Sequence, residues 1–149
     1  MHARPLALSP HVFVRDAEAA VAFYADAFGA TELVRNTTPD GKVIFVELAF
    51  GPAKLLVSEE VAELGALGPE SIGGSPVVLT LEFEDLDGAV ARALERGAKV
   101  EMPVEEMFWG ERYGIVRDPE GHRWAMCTRR EVLDPDEVAA RTPKRIPPR

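Results

Sequence analysis

The segment Asp16-Ala17-Glu18-Ala19-Ala20-Val21-Ala22 returns sixty-nine positions later as Asp85-Leu86-Asp87-Gly88-Ala89-Val90-Ala91. Gly29-Ala30 returns as Gly97-Ala98 sixty-eight positions on, so the second copy has lost one residue. Two copies in 149 residues are a duplication; a solenoid would stack three or more short repeats. Whatever one half folds into, the other half should repeat.

Each copy carries a helical stripe. Ala17, Ala20, Val21, Tyr24, Ala27 and Phe28 recur at three- and four-residue spacing, as do Leu86, Ala89, Val90, Ala93 and Leu94. Asp16 and Asp85 are placed to accept the free amide hydrogens of a first helical turn, and Gly29 and Gly97 to end the helix in the left-handed conformation. A strand precedes each helix. Val12 and Val14 alternate with His11 and Phe13, while Leu79, Leu81 and Phe83 alternate with Val78, Thr80 and Glu82. Further strands are expected at 32–36, 43–50 and 54–57, then at 99–102, 112–117 and 123–128. Thr38-Pro39-Asp40-Gly41 and Asp118-Pro119-Glu120-Gly121 read as type I turns.

The order β-α-β-β-β occurs twice, which predicts an α+β fold of two βαβββ modules with curved mixed sheets. Module one runs over about 8–58, a glycine-rich connector over 59–75 and module two over about 76–128. The rest, 129–149, is a short helix from Asp134 to Arg141 and a tail rich in arginine and proline.

Composition narrows the function. Forty-six per cent hydrophobic and 28% charged residues suit a globular chain. The net charge of −8 opposes nucleic-acid binding, which needs cations to displace condensed counterions. The single cysteine, Cys127, forms no disulfide framework and no zinc cluster. No apolar run suits a signal or a membrane span, so a cytoplasmic location with no membrane partner is expected. Dinucleotide, phosphate-loop, serine-hydrolase and H-E-x-x-H motifs do not occur.

The paired modules, each opening strand–Asp–helix, and the closing Asp118-Pro119-Glu120-Gly121-His122 resemble the vicinal oxygen chelate superfamily of glyoxalase I, extradiol dioxygenases and bleomycin-resistance proteins. Ala22-Phe23-Tyr24, Ala27-Phe28-Gly29-Ala30, Trp109-Gly110-Glu111-Arg112-Tyr113-Gly114 and His122-Arg123-Trp124 resemble its PhnB-like branch, often labelled demethylubiquinone-methyltransferase-like. The resemblance implies two sheets curving round a common cleft, and a homodimer. It also implies that the four positions filled by His or Glu in metal-using members fall at Ser9, Glu47, Val78 and Ala125. Only Glu47 there is a metal ligand, and one carboxylate does not hold a transition ion. No cofactor is therefore expected, the alternative being a displaced divalent metal at Glu47 and His11.

His11 and Glu47 are the candidate acid–base pair, since a carboxylate beside an imidazole tunes it for proton transfer near neutrality. His11, Phe13, Glu47, Thr80, Trp109, Arg112 and Tyr113 are the candidate ligand contacts. Trp109 and Tyr113 would stack on a flat ligand, and Arg112 would fork onto a carboxylate or phosphate. Against this, Trp109 could close the core edge and Arg112 could pair with Glu111 or Glu106. His122 reads as a structural hydrogen-bonder at its turn, Trp124 as core and Cys127 as a packed, unreactive thiol. Three functional readings follow: a metal-free protein binding a small, partly aromatic or amphipathic molecule; a lyase, isomerase or dioxygenase; and a protein-interaction module.

Overall fold

The computed structural model describes residues 2–145; Pro147, Pro148 and Arg149 of the basic tail lie outside them. Strand β1 (His11–Val14), helix α1 (Ala17–Phe28) and strands β2 (Thr31–Thr37), β3 (Val43–Phe50) and β4 (Ala53–Glu59) form the first unit. Strand β5 (Val78–Glu82), helix α3 (Leu86–Glu95) and strands β6 (Lys99–Glu106), β7 (Glu111–Arg117) and β8 (Arg123–Arg129) repeat it. Each unit is one four-stranded sheet, in the orders β1-β4-β3-β2 and β5-β8-β7-β6. In both, the first strand pairs in parallel with the last, and the other pairings are antiparallel. The architecture is the expected α+β duplication.

The helix ends follow the local chemistry. Asp16 accepts from the Ala19 amide and Asp85 from the Gly88 amide at 3.0 Å each, and Gly29 closes α1 at φ 73°. One face of each sheet packs under its helix. Val12, Val14, Val46, Leu48 and Val57 from the first sheet share a continuous core with Leu86, Ala89, Trp124 and Met126 from the second unit. Phe28 and Tyr24 of α1 lie against Trp124, with ring centroids 4.9 and 5.2 Å apart. The other face of each sheet points away from this core. There Ala125 and Cys127 are nevertheless buried, being short side chains whose cross-strand neighbours are Thr80 and Ile115, and Glu82 and Tyr113.

One expectation needs correction. Strand β6 does not stop at Met102 but continues through Pro103 to Glu106. It is the outer strand of its sheet, and its register shifts between Met102 and Glu105, so proline's missing N–H costs no ladder bond there. The connector carries short elements of its own. It holds a 3₁₀ turn (Ala62–Leu64) and a short helix, α2 (Pro69–Ile72), whose preceding Gly68 amide donates to Glu60 at 2.6 Å. A last helix, α4 (Pro135–Arg141), is capped by Asp134 accepting from Glu137. No helix among the described residues is long and apolar enough to cross a membrane.

Candidate functional site

Parallel pairing of β1 with β4 decides which residues meet on the free face of the first sheet. Phe13, Ser58 and Phe45 lie abreast across β1, β4 and β3, and His11, Leu56 and Glu47 form the next row. With Leu56 between them, His11 and Glu47 stand two strand spacings apart, about 9–10 Å at the backbone. They do not pair. The His11 imidazole shares a hydrogen bond of 2.8 Å with Ser58 Oγ through Nε2, and its ring lies 4.8 Å from Phe13 and 6.0 Å from Phe45. The Glu47 carboxylate instead takes Lys54 Nζ at 2.7 Å. Neither Ser58 nor Phe45 stood out in the sequence. The signal that finds them is the strand order, because both sit on the same alternating face as His11 once β4 is placed beside β1.

The other candidates separate. Tyr113 lies opposite Cys127 on the free face of the second sheet, with Trp109 at 5.6 Å edge-on and Phe108 a further 4.9 Å along. Gly110 holds this loop down. Its φ is 94°, and a Cβ there would come 2.7 Å from the Glu131 carbonyl oxygen. Thr80 is exposed beside Ala125. Arg112, one residue from Tyr113, points to the opposite side. Its two terminal nitrogens grip Asp87 at the start of α3, at 3.2 and 2.9 Å, and hold that carboxyl below its usual range. Strand alternation thus turns Arg112 away from Tyr113 and Trp109, and its guanidinium is taken by Asp87 rather than by Glu106 or Glu111.

The two units meet at the Asp118-Pro119-Glu120-Gly121 turn, closed by the Gly121 amide on the Asp118 carbonyl at 2.9 Å. Buried Asp118 accepts four bonds, from the Tyr24 hydroxyl (2.6 Å), Trp124 Nε1 (2.8 Å) and the amides of Glu120 (2.9 Å) and His122 (3.0 Å). Glu120 accepts from the amides of Arg15 and Asp16 in the first unit. His122 Nε2 donates to the Phe13 carbonyl at 2.8 Å, a structural bond that crosses between the units. Burial, then the nearby Asp118 charge, raises the Tyr24 hydroxyl well above its ordinary pKa. The turn was legible as a turn; its work as the joint between the halves was not.

Beside this joint a cavity of about 320 Å³ opens between β1, the connector and the starts of β5 and β8. Its walls include His11, Phe13, Leu67, Ile72, Val77, His122 and Arg123. Glu47, Thr80, Trp109 and Tyr113 are not among them. A larger groove of about 400 Å³ lies over α1, between Phe23, Tyr24, Arg96 and Pro119.

The donor set at the four metal positions does not fit a metal. Ser9, Val78 and Ala125 offer no imidazole, thiolate or carboxylate, and Glu47 is occupied by Lys54. Among the described residues no group of three His, Cys, Asp or Glu side chains could hold an ion. Cys127 is buried, and its thiol is pushed up to about 12 by burial and then by its hydrogen bond to Glu111.

Comparison with known proteins sets this geometry in a family. Residues 5–126 match the model of the Glyoxalase/Bleomycin resistance protein/Dioxygenase superfamily. An uncharacterised protein of Mycobacterium bovis is 39% identical over 137 residues, covering 90% of each chain. One from Arabidopsis thaliana is 33% identical over 122 residues, covering 76% of this chain and 72% of its own. Among solved structures, an Arabidopsis thaliana gene product superposes with a TM-score of 0.65 at 28% identity, over 84% of this chain and 98% of that one. TioX from Micromonospora sp. ML1 gives 0.66 at 24% identity, over 82% and 97%. The duplicated βαβββ order, the family match over most of the chain and these relatives together place this protein in the glyoxalase/bleomycin resistance protein/dioxygenase superfamily.

Proposed function

We propose that this chain, a PhnB-like member of its superfamily, binds a small, partly aromatic or amphipathic molecule without a catalytic metal. The observation that carries this reading is the cavity between the units. Its volume suits a small organic ligand, and its apolar walls converge on the polar groups of His11, His122 and Arg123. His11 and Phe13 belong both to this cavity and to the aromatic row on the first sheet, so a flat ring has a surface to stack on.

A cytoplasmic homodimer is part of the proposal. Half-exposed Leu33, Val34 and Ile44 on β2 and β3 and Val100 on β6 leave apolar side chains on and beside the outer edge strands. Equilibrium sedimentation at micromolar concentration should find the dimer, and a monomer throughout would remove that part.

Ligand binding is tested by thermal-shift screening of small aromatic and amphipathic compounds, since a molecule that binds only the native state raises its melting temperature. A hit should lose most of its shift in Phe13→Ala and His11→Ala and keep it in Arg112→Ala, whose side chain is on the far face of its strand. A shift lost equally in all three variants would show that the cavity is not the site.

A further inference from the structure

We infer that the ligand of the cavity between the units carries an anionic group, a carboxylate on a flat or amphipathic frame, received by Arg123 with Arg117 beside it. This rests on that cavity being the binding site and adds the charge of what it binds.

Cross-strand register sets Lys99, Arg117 and Arg123 abreast on β6, β7 and β8. One carboxylate, Glu101, serves both arginines. It accepts from Arg123 Nε at 3.0 and 2.9 Å and lies 3.8 Å from an Arg117 terminal nitrogen. These three cations outnumber Glu101 and Glu70, which lines a small recess with Arg117, and leave a local positive excess in a chain whose net charge is −8. Such an excess is a feature of this row and not of the whole surface.

The Arg123 side chain is only 16% exposed. A guanidinium has five N–H donors in a planar fork, and here Nε alone has a partner among the described residues. Both terminal amino groups are therefore open to a ligand, and Glu101 fixes the plane in which they lie. The cavity that Arg123 helps to line has walls of Leu67, Ile72, Val77 and Phe13. A charge-assisted bond is strengthened where apolar walls reduce screening, and a planar fork with two terminal donors matches the two oxygens of a carboxylate. An ammonium ligand would meet like charge in the same place.

The test uses the full chain, ¹⁵N-labelled, titrated with 2-naphthoate, 2-naphthamide and 2-naphthylmethylammonium while the amide resonances of Leu67, Ile72 and Val77 are followed. Naphthoate should bind about ten-fold more tightly than the amide, with the ammonium weakest. The preference for acid over amide should shrink as salt rises from about 50 to 500 mM, and should fall to about two-fold or less in Arg123→Gln. Should Arg123→Gln not fold, Arg123→Lys, which keeps the charge and loses the planar fork, takes its place and should lose most of the preference for the acid. Acid and amide binding equally while those amides shift would overturn the anion assignment and leave the cavity standing. A salt-sensitive preference for the acid that survives both Arg123→Gln and Arg117→Gln would also overturn it. None of the three probes moving those amides would remove the binding site itself, and the anion site with it.

Discussion

Replacing Asp118 by alanine strips the acceptor from four donors at once. Two of them, the Tyr24 hydroxyl and the Trp124 indole N–H, belong to side chains that are 0% and 2% exposed, so water cannot substitute. A buried donor left unsatisfied costs about 1–3 kcal/mol. Allowing for relaxation among neighbours that share one acceptor, Asp118→Ala should destabilise by about 3–5 kcal/mol. That is a large part of the roughly 5–15 kcal/mol that holds an ordinary domain folded. Asp118→Asn keeps the shape and one acceptor oxygen, but turns an amide N–H₂ toward one pair of donors. The tyrosine hydroxyl can rotate to accept; the indole N–H cannot, and the expected cost is about 1–3 kcal/mol. Tyr24→Phe removes one charge-assisted bond and should cost about 1.5–3 kcal/mol. Urea unfolding followed by tryptophan fluorescence measures all three, and a double-mutant cycle between positions 24 and 118 should show coupling of about 1 kcal/mol or more. A loss below about 1 kcal/mol for Asp118→Ala, with an unchanged denaturant slope, would refute the view that this carboxylate joins the two halves.

Two further outcomes follow from the same burial. The raised Tyr24 pKa means the folded state favours the neutral phenol. Its contribution to stability is full below the unfolded value of about 10 and is lost as pH climbs from there through the folded value, by up to about 1.4 kcal/mol per pH unit. Measured in a Cys127→Ala background, stability between about pH 10 and 11.5 should fall more steeply with Tyr24 than with Tyr24→Phe, and identical slopes would contradict this. The Cys127 thiol, held at about 12, carries little thiolate at pH 8. Its labelling by a disulfide reagent should be about a thousand-fold slower than that of a free thiol until denaturant is added, and labelling within about ten-fold would show an accessible sulfur.

Much of the fold was legible because it rests on local chemistry. Asp16 and Asp85 cap their helices as the duplicated pattern requires, Gly29 ends α1, and the 43–50 strand appears with the same limits. The alternation along β1 and β5 also holds, with Val12 and Leu79 packing toward the helices. What alternation cannot supply is the neighbour. The resemblance puts Glu47 in the cleft and alternation puts His11 there, yet β4 intervenes and presents Ser58 within hydrogen-bonding reach of the ring. Arg112 and Tyr113 were grouped because they are adjacent, although adjacency in a strand sends them to opposite faces. Asp118 was hardest to read. Its partners Tyr24 and Trp124 looked like ordinary core aromatics, and only the packing of one half on the other gives their polar atoms a common target.

The joint is not itself duplicated. At the offset that relates the copies, Tyr24 falls on Ala93, while the hairpin end that carries Asp118 in the second half carries Phe50 in the first, stacked 5.5 Å from Trp124. A hydroxyl on one side and a carboxylate on the other make the halves a lock with unlike parts. Severed in the connector, the two fragments should seek each other rather than their own kind.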